Sequence, residues 1–99
     1  MYEAIPINVT EQHIREGARN SGTYCALALA LNDRFPDKRA VVGLNYAVIV
    51  EDFTIHAISK EYPKSVSDFI KKFDDGRKVE PDTFILTFKS NSDIASIEE

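Results

Sequence analysis

Val66, Phe69, Ile70 and Phe73 stand at i, i+3, i+4 and i+7, a spacing that only an α-helix gathers into one apolar stripe. Ser65, with Asp68 three residues on, resembles a capping box with Asp in the Glu/Gln position, and Gly76 is well placed for C′. A helix with one apolar face must lay it on another apolar surface. This chain offers strands for that purpose. Ile5, Ile7 and Val9 alternate with Pro6 and Asn8, and Phe84, Leu86 and Phe88 alternate with Ile85 and Thr87. Pro6 has no N–H to give a ladder, which sends its strand to an edge or leaves it partly paired.

Between these elements, Thr10 reads as an N-cap with Glu11 in the first helical turn, where a negative charge is favourable. Gly17 and Asn20-Ser21-Gly22 interrupt that helix. Cys25-Ala26-Leu27-Ala28-Leu29-Ala30-Leu31 follows, rich in the strongest helix formers and without a β-branched residue, so it reads as a mostly buried second helix. Val41 to Val50 and Phe53 to Ser59 read as a hairpin turning at Glu51-Asp52. Val42, Leu44, Tyr46, Val48 and Val50 share one face of it with Phe53, Ile55 and Ala57. The order β-α-α-β-β-α-β defines an α+β class, an antiparallel sheet of about four strands with helices packed on one face. A split β-α-β arrangement is the natural topology, although it would place the Pro6 strand inside the sheet. Residues 1–88 form the single domain, and 89–99 read as an acidic, loose C-terminal tail.

A chain of 99 residues supports one core, and 43% hydrophobic content sets it apart from disordered chains. The lone Cys25 excludes an internal disulfide and fits a reducing compartment. No signal peptide and no apolar run of membrane-spanning length is visible, so a membrane role is not expected. Lys60, Lys64, Lys71, Lys72, Arg77 and Lys78 are interleaved with Glu61, Asp68, Asp74 and Asp75, the pattern of a solvated face. With a net charge of −4, direct nucleic-acid binding is not expected.

The residues that carry chemistry are few. Cys25 falls near a helix N-terminus, where the dipole lowers a thiol pKa, and nucleophilic catalysis would draw its base from His13 or His56. No sequence signature ties either histidine to it, and a small buried residue in an Ala/Leu helix is the simpler reading. His13 reads as a surface residue. The histidines and the cysteine lack metal-ligand spacing, and Gly17, Gly22, Gly43 and Gly76 form no phosphate-binding loop. No catalytic residue, metal or cofactor is expected.

The sheet face away from the helices is more informative. Alternation places Val41, Asn45, Ala47, Ile49, Thr54, His56, Ile58, Thr83, Ile85 and Thr87 there. Open antiparallel faces are normally polar, and this one is mixed. Two readings stand: the register is off by one and some of these side chains are core, or Ile49, His56, Ile58 and Ile85 anchor a partner or a second copy. A second function class is a small-molecule binder, for nucleotides or metabolites, with Tyr24, Tyr46 and Arg19 at a pocket between sheet and helices.

Ile7 to Thr10, Ile14-Arg15-Glu16-Gly17 and the Cys25–Leu31 run, followed by Pro63, Val66, Phe69-Ile70-Lys71-Lys72-Phe73-Asp74, Pro81 and Phe84, resemble a group of small proteins encoded by tailed bacteriophages. The likeness spans about residues 5 to 88. A Pro often follows the Cys in that group, and Ala26 stands here instead. The group is largely of unassigned function and supplies no catalytic residues. It implies a phage accessory protein in the host bacterial cytoplasm that binds a host protein and inhibits or redirects it, a defence system such as CRISPR being one example.

Overall fold

The computed structural model describes residues 2–90. Its strands and helices run β1 (Tyr2–Val9), α1 (Glu11–Glu16), α2 (Ala26–Arg34), β2 (Arg39–Val42), β3 (Ala47–Glu51), β4 (Thr54–Ser59), α3 (Lys64–Asp74) and β5 (Asp82–Ser90). The α+β class is as the sequence implies, with five strands in one antiparallel sheet of order β1-β5-β4-β3-β2. The split β-α-β order is not adopted. β1 lies at the edge and pairs with β5 alone, so Pro6 has a ladder on one side only.

The helices cover one sheet face. Ile5, Ile7 and Val9 of β1 and Phe84, Leu86 and Phe88 of β5 are buried beneath them. Phe69 meets Phe84 edge-on at 5.2 Å between ring centroids, and Phe35, just past α2, meets Phe88 at 6.0 Å. In α3 the stripe Val66, Phe69, Ile70, Phe73 is buried as its spacing requires. Its N-cap, however, is Pro63, so Ser65 lies inside the first turn and makes no cap hydrogen bond. At the other end, Gly76 adopts φ 76° at C′; its N–H donates to the Phe73 carbonyl and the Arg77 N–H to that of Lys72, a complete Schellman closure.

α1 starts at Thr10 through a reciprocal cap. The His13 N–H donates to Thr10 Oγ1 at 3.3 Å, and the Thr10 N–H donates to His13 Nδ1 at 3.0 Å. His13 is therefore buried rather than superficial, its Nε2–H directed at Asp33 of α2. Gly17 ends α1 where a Cβ would stand 2.7 Å from the Ala26 backbone N, so glycine is what lets α1 and α2 meet. In α2 the buried Ala26, Ala28 and Ala30 allow close packing, and Leu27 and Leu31 fill the core.

The stretch Val41–Val50 is two strands, not one. Gly43 to Tyr46 forms a turn closed by the Gly43 N–H on the Tyr46 carbonyl, and Leu44 stands exposed at its crest. The turn resets the phase: Val42 is buried on β2, but Ala47 and Ile49 are buried on β3. The next hairpin turns at Asp52-Phe53, one residue later than expected, with φ of 51° and 63°. A second reset follows in β4. Ile49 pairs with Ala57 but Val50 pairs with Ile55, which leaves His56 as the extra residue of a β-bulge. Ala57 and Ser59 face the helices, whereas Ile55 faces the other way with Val50. β5 runs two residues beyond Phe88, so Lys89 and Ser90 pair with Ile58 and Ala57 instead of starting a tail. The remainder of the expected tail lies outside the described residues.

Candidate interaction surface

Backbone register assembles the uncovered sheet face row by row, since residues directly opposite in a ladder share a face. One row crosses every strand: Val41 on β2, Val48 on β3, Ile58 on β4, Lys89 on β5 and Tyr2 on β1. Beside it lies a second, Arg39, Val50 and Ile55. Toward the β1 edge follow the pairs Ala4 and Thr87, Pro6 and Ile85, Asn8 and Thr83. Val41 and Ile55 are exposed, and Val48, Val50 and Ile58 are half-buried. Together they make an aliphatic patch across β2, β3 and β4.

Charge on this face has one sign. Lys60 Nζ lies 4.3 Å from the Tyr2 ring centroid and Lys89 Nζ 5.6 Å, so two ammonium groups share one aromatic ring beside Ile58. Arg39 adds a third cation at the far end of the patch. No Asp or Glu stands on the face among the described residues, although the chain carries 16 acids against 12 Lys and Arg. Glu51 is directed away from it, toward Lys38 at 3.4 Å.

The β3–β4 hairpin projects from the same end as Arg39, Val50 and Ile55. At its tip Phe53 is 105% exposed while held at a left-handed φ of 63°. An aromatic ring that buries nothing, in a backbone region that disfavours side chains, contributes nothing to the core.

Of the anchors expected from sequence, Ile58 lies at the centre of the patch and His56 stands exposed on the adjoining bulge. Ile49 is corrected: it is fully buried beneath the helices, because the Gly43–Tyr46 turn inverts the phase of β3. Ala47 moves with it. Ile85 does lie on the open face and is exposed, but four residues along β5 from Lys89 put it roughly 13 Å from the Ile58 row. Sequence reasoning missed Val48, Val50, Ile55 and Phe53. The signal for the first pair was the turn-forming Gly43 and Asn45; Ile55 depends on a bulge that no residue type announces.

Cys25 occupies the N-cap position of α2, buried, and that burial raises its thiol pKa above the ordinary value. Both ring nitrogens of His13 are engaged by Thr10 and Asp33, and His56 stands exposed on β4. Among the described residues neither histidine is hydrogen-bonded to Cys25. Among the described residues no cluster of His, Cys, Asp and Glu could hold a metal, and no helix is long and apolar enough to cross a membrane. Arg19 lines a cleft at the ends of α1 and α3, whereas Tyr24 and Tyr46 stand exposed and do not line it.

Fold and surface together define a class: a small α+β domain with one sheet face sealed by helices and the other presenting aliphatic side chains ringed by cations. No family model matches the chain, and neither a curated protein nor a solved structure does.

Proposed function

We propose that this protein works without catalysis, by binding a partner protein through its open sheet face. The observation that carries the reading is the combination of Val41, Val48, Val50, Ile55 and Ile58 with Arg39, Lys60 and Lys89 and no acid, on a chain whose net charge is −4. Aliphatic anchors with a polar rim are the anatomy of a protein interface. The uniform sign selects an acidic partner and disfavours a second copy, which would set cations against cations. Phe53 extends the surface beyond the sheet. On the resemblance to small tailed-phage proteins, the partner is a host protein in the bacterial cytoplasm, inhibited or redirected by the contact, with CRISPR effectors among the candidates.

Charge reversal tests the reading. Full-length protein immobilised in bacterial lysate should retain one stoichiometric acidic protein that elutes as salt shortens the Debye length to about 3 Å near 1 M. Lys60→Glu with Lys89→Glu should abolish retention while the variant stays folded. A clean bait, or a partner held equally by the reversed variant, would overturn it.

A further inference from the structure

On the helix side of the molecule, away from the open sheet face, the C-terminal ends of α1 and α3 flank a shallow, open cleft of about 420 Å³. That is the size of a small-ligand site. Ile14, Phe73 and Val79 form its floor, packed on the core. Arg19, Arg77 and Lys78 form its rim, and the lining contains no Asp or Glu. Arg19 and Arg77 make no ion pair among the described residues, and Lys78 reaches only the exposed Glu80, at 3.6 Å.

Arg19 is placed by the backbone. Gly76, at φ 76°, lies directly beneath the Arg19 guanidinium, where a Cβ would collide with Nη1. At Gly17 a Cβ would fall 2.9 Å from Phe73 Cζ, so the missing side chain admits the ring edge to the floor. The Asn20 N–H donates to Asp74 Oδ1 at 2.9 Å, tying the loop that carries Arg19 to the end of α3. That hydrogen bond occupies one Asp74 oxygen, and Asp74 and Asp75 line a neighbouring cleft with Leu44 instead.

We propose that this cleft binds a small organic anion, a carboxylate or phosphate carried on an aromatic or branched aliphatic body. The guanidinium groups of Arg19 and Arg77 present forked donors to the anionic head. Ile14, Phe73 and Val79 take the apolar body. Neither half suffices: an inorganic anion leaves the floor wet, and a neutral aromatic leaves the cations unpaired.

The test is an amide-resolved NMR titration of the full chain with phenyl phosphate, benzoate, inorganic phosphate and phenol. Phenyl phosphate or benzoate should give saturable shifts centred on Gly17, Gly76 and Val79, and which of the two binds identifies the head group. Inorganic phosphate and phenol should bind at least tenfold more weakly. Arg19→Ala and Arg77→Ala should each weaken the preferred probe about tenfold, equivalent to about 1.4 kcal/mol. Core amides such as those of Ile49 and Leu86 report that the variants remain folded. Non-saturating shifts spread over surface lysines, or binding untouched by Arg19→Ala, would overturn the proposal. Ile58→Glu should leave anion binding intact, so this result and that of the sheet face are read separately.

Discussion

Phe53→Gly should stabilise the fold and weaken partner binding at once. Asp52 and Phe53 form the two-residue β3–β4 turn with φ of 51° and 63°, the pair of positive values that favours Asn-Gly or Asp-Gly. Holding a non-glycine residue in the left-handed region costs roughly 1–2 kcal/mol. Glycine removes that cost but adds unfolded-state freedom of roughly 0.5–1 kcal/mol, leaving a net gain of about 0.5–1 kcal/mol. No packing term offsets it, because the Phe53 side chain is fully exposed. For a domain of this size the gain raises Tm by roughly 2–6 °C. Calorimetric melts of wild type and Phe53→Gly, run beside capture of the partner, measure both halves. A lower Tm would show that the ring packs on the fold and would refute the reasoning; a higher Tm with undiminished capture would remove Phe53 from the interface.

The corrected register makes a sharp comparison, since Ile49→Ala opens a cavity in the core and should cost about 2–5 kcal/mol in urea unfolding. Ile58→Ala, half-buried on the open face, should cost well under half of that, and equal losses would return both residues to one core. Cys25 has a native thiol pKa raised by burial, so the folded state holds its proton more tightly than the unfolded state. Its contribution to stability is complete below the unfolded pKa of about 8.5 and is lost as pH rises through the native value. Denaturation midpoints of wild type and Cys25→Ala should therefore run parallel up to about pH 8 and converge above it; parallel lines to higher pH, or fast alkylation of the native thiol, would contradict the burial.

Where sequence and structure agree, the local signal was unambiguous. The α3 stripe contains apolar and polar residues in helical alternation, so one rotation alone buries Val66, Phe69, Ile70 and Phe73. In β5, Phe84, Leu86 and Phe88 alternate with Thr83, Ile85 and Thr87, so only Ile85 competes for the buried face. The edge position of Pro6 follows from its missing donor. Disagreement is concentrated in Val41–Ser59, where neighbouring residues on both faces are apolar. Val41-Val42 and Val48-Ile49-Val50 satisfy either phase, so the pattern carries no register information. The true register is set by a four-residue turn, which puts Val42 and Ala47 five positions apart on one face, and by a one-residue bulge at His56. That is why Ile49 passed from surface to core and Ile55 from core to surface. His13 shows a different limit: its reciprocal cap with Thr10 uses a histidine where Glu or Gln is the recognised signal, and its Asp33 contact depends on the α1–α2 packing. The cleft at Arg19 was legible only as one cation, because Arg77, Lys78 and Phe73 reach it through the fold.

The central claim, that the open sheet face binds a protein, is met most directly by Ile58→Glu. Thermal unfolding and quantitative capture from bacterial lysate are measured on the same preparation of full-length wild type and variant. Ile58 lies in the centre of the aliphatic patch and points away from the helices, so the account predicts cooperative unfolding within a few degrees of wild type and loss of the captured partner. Unfolding of the variant would make Ile58 core, and an undiminished partner would place the interface elsewhere; either result contradicts the claim.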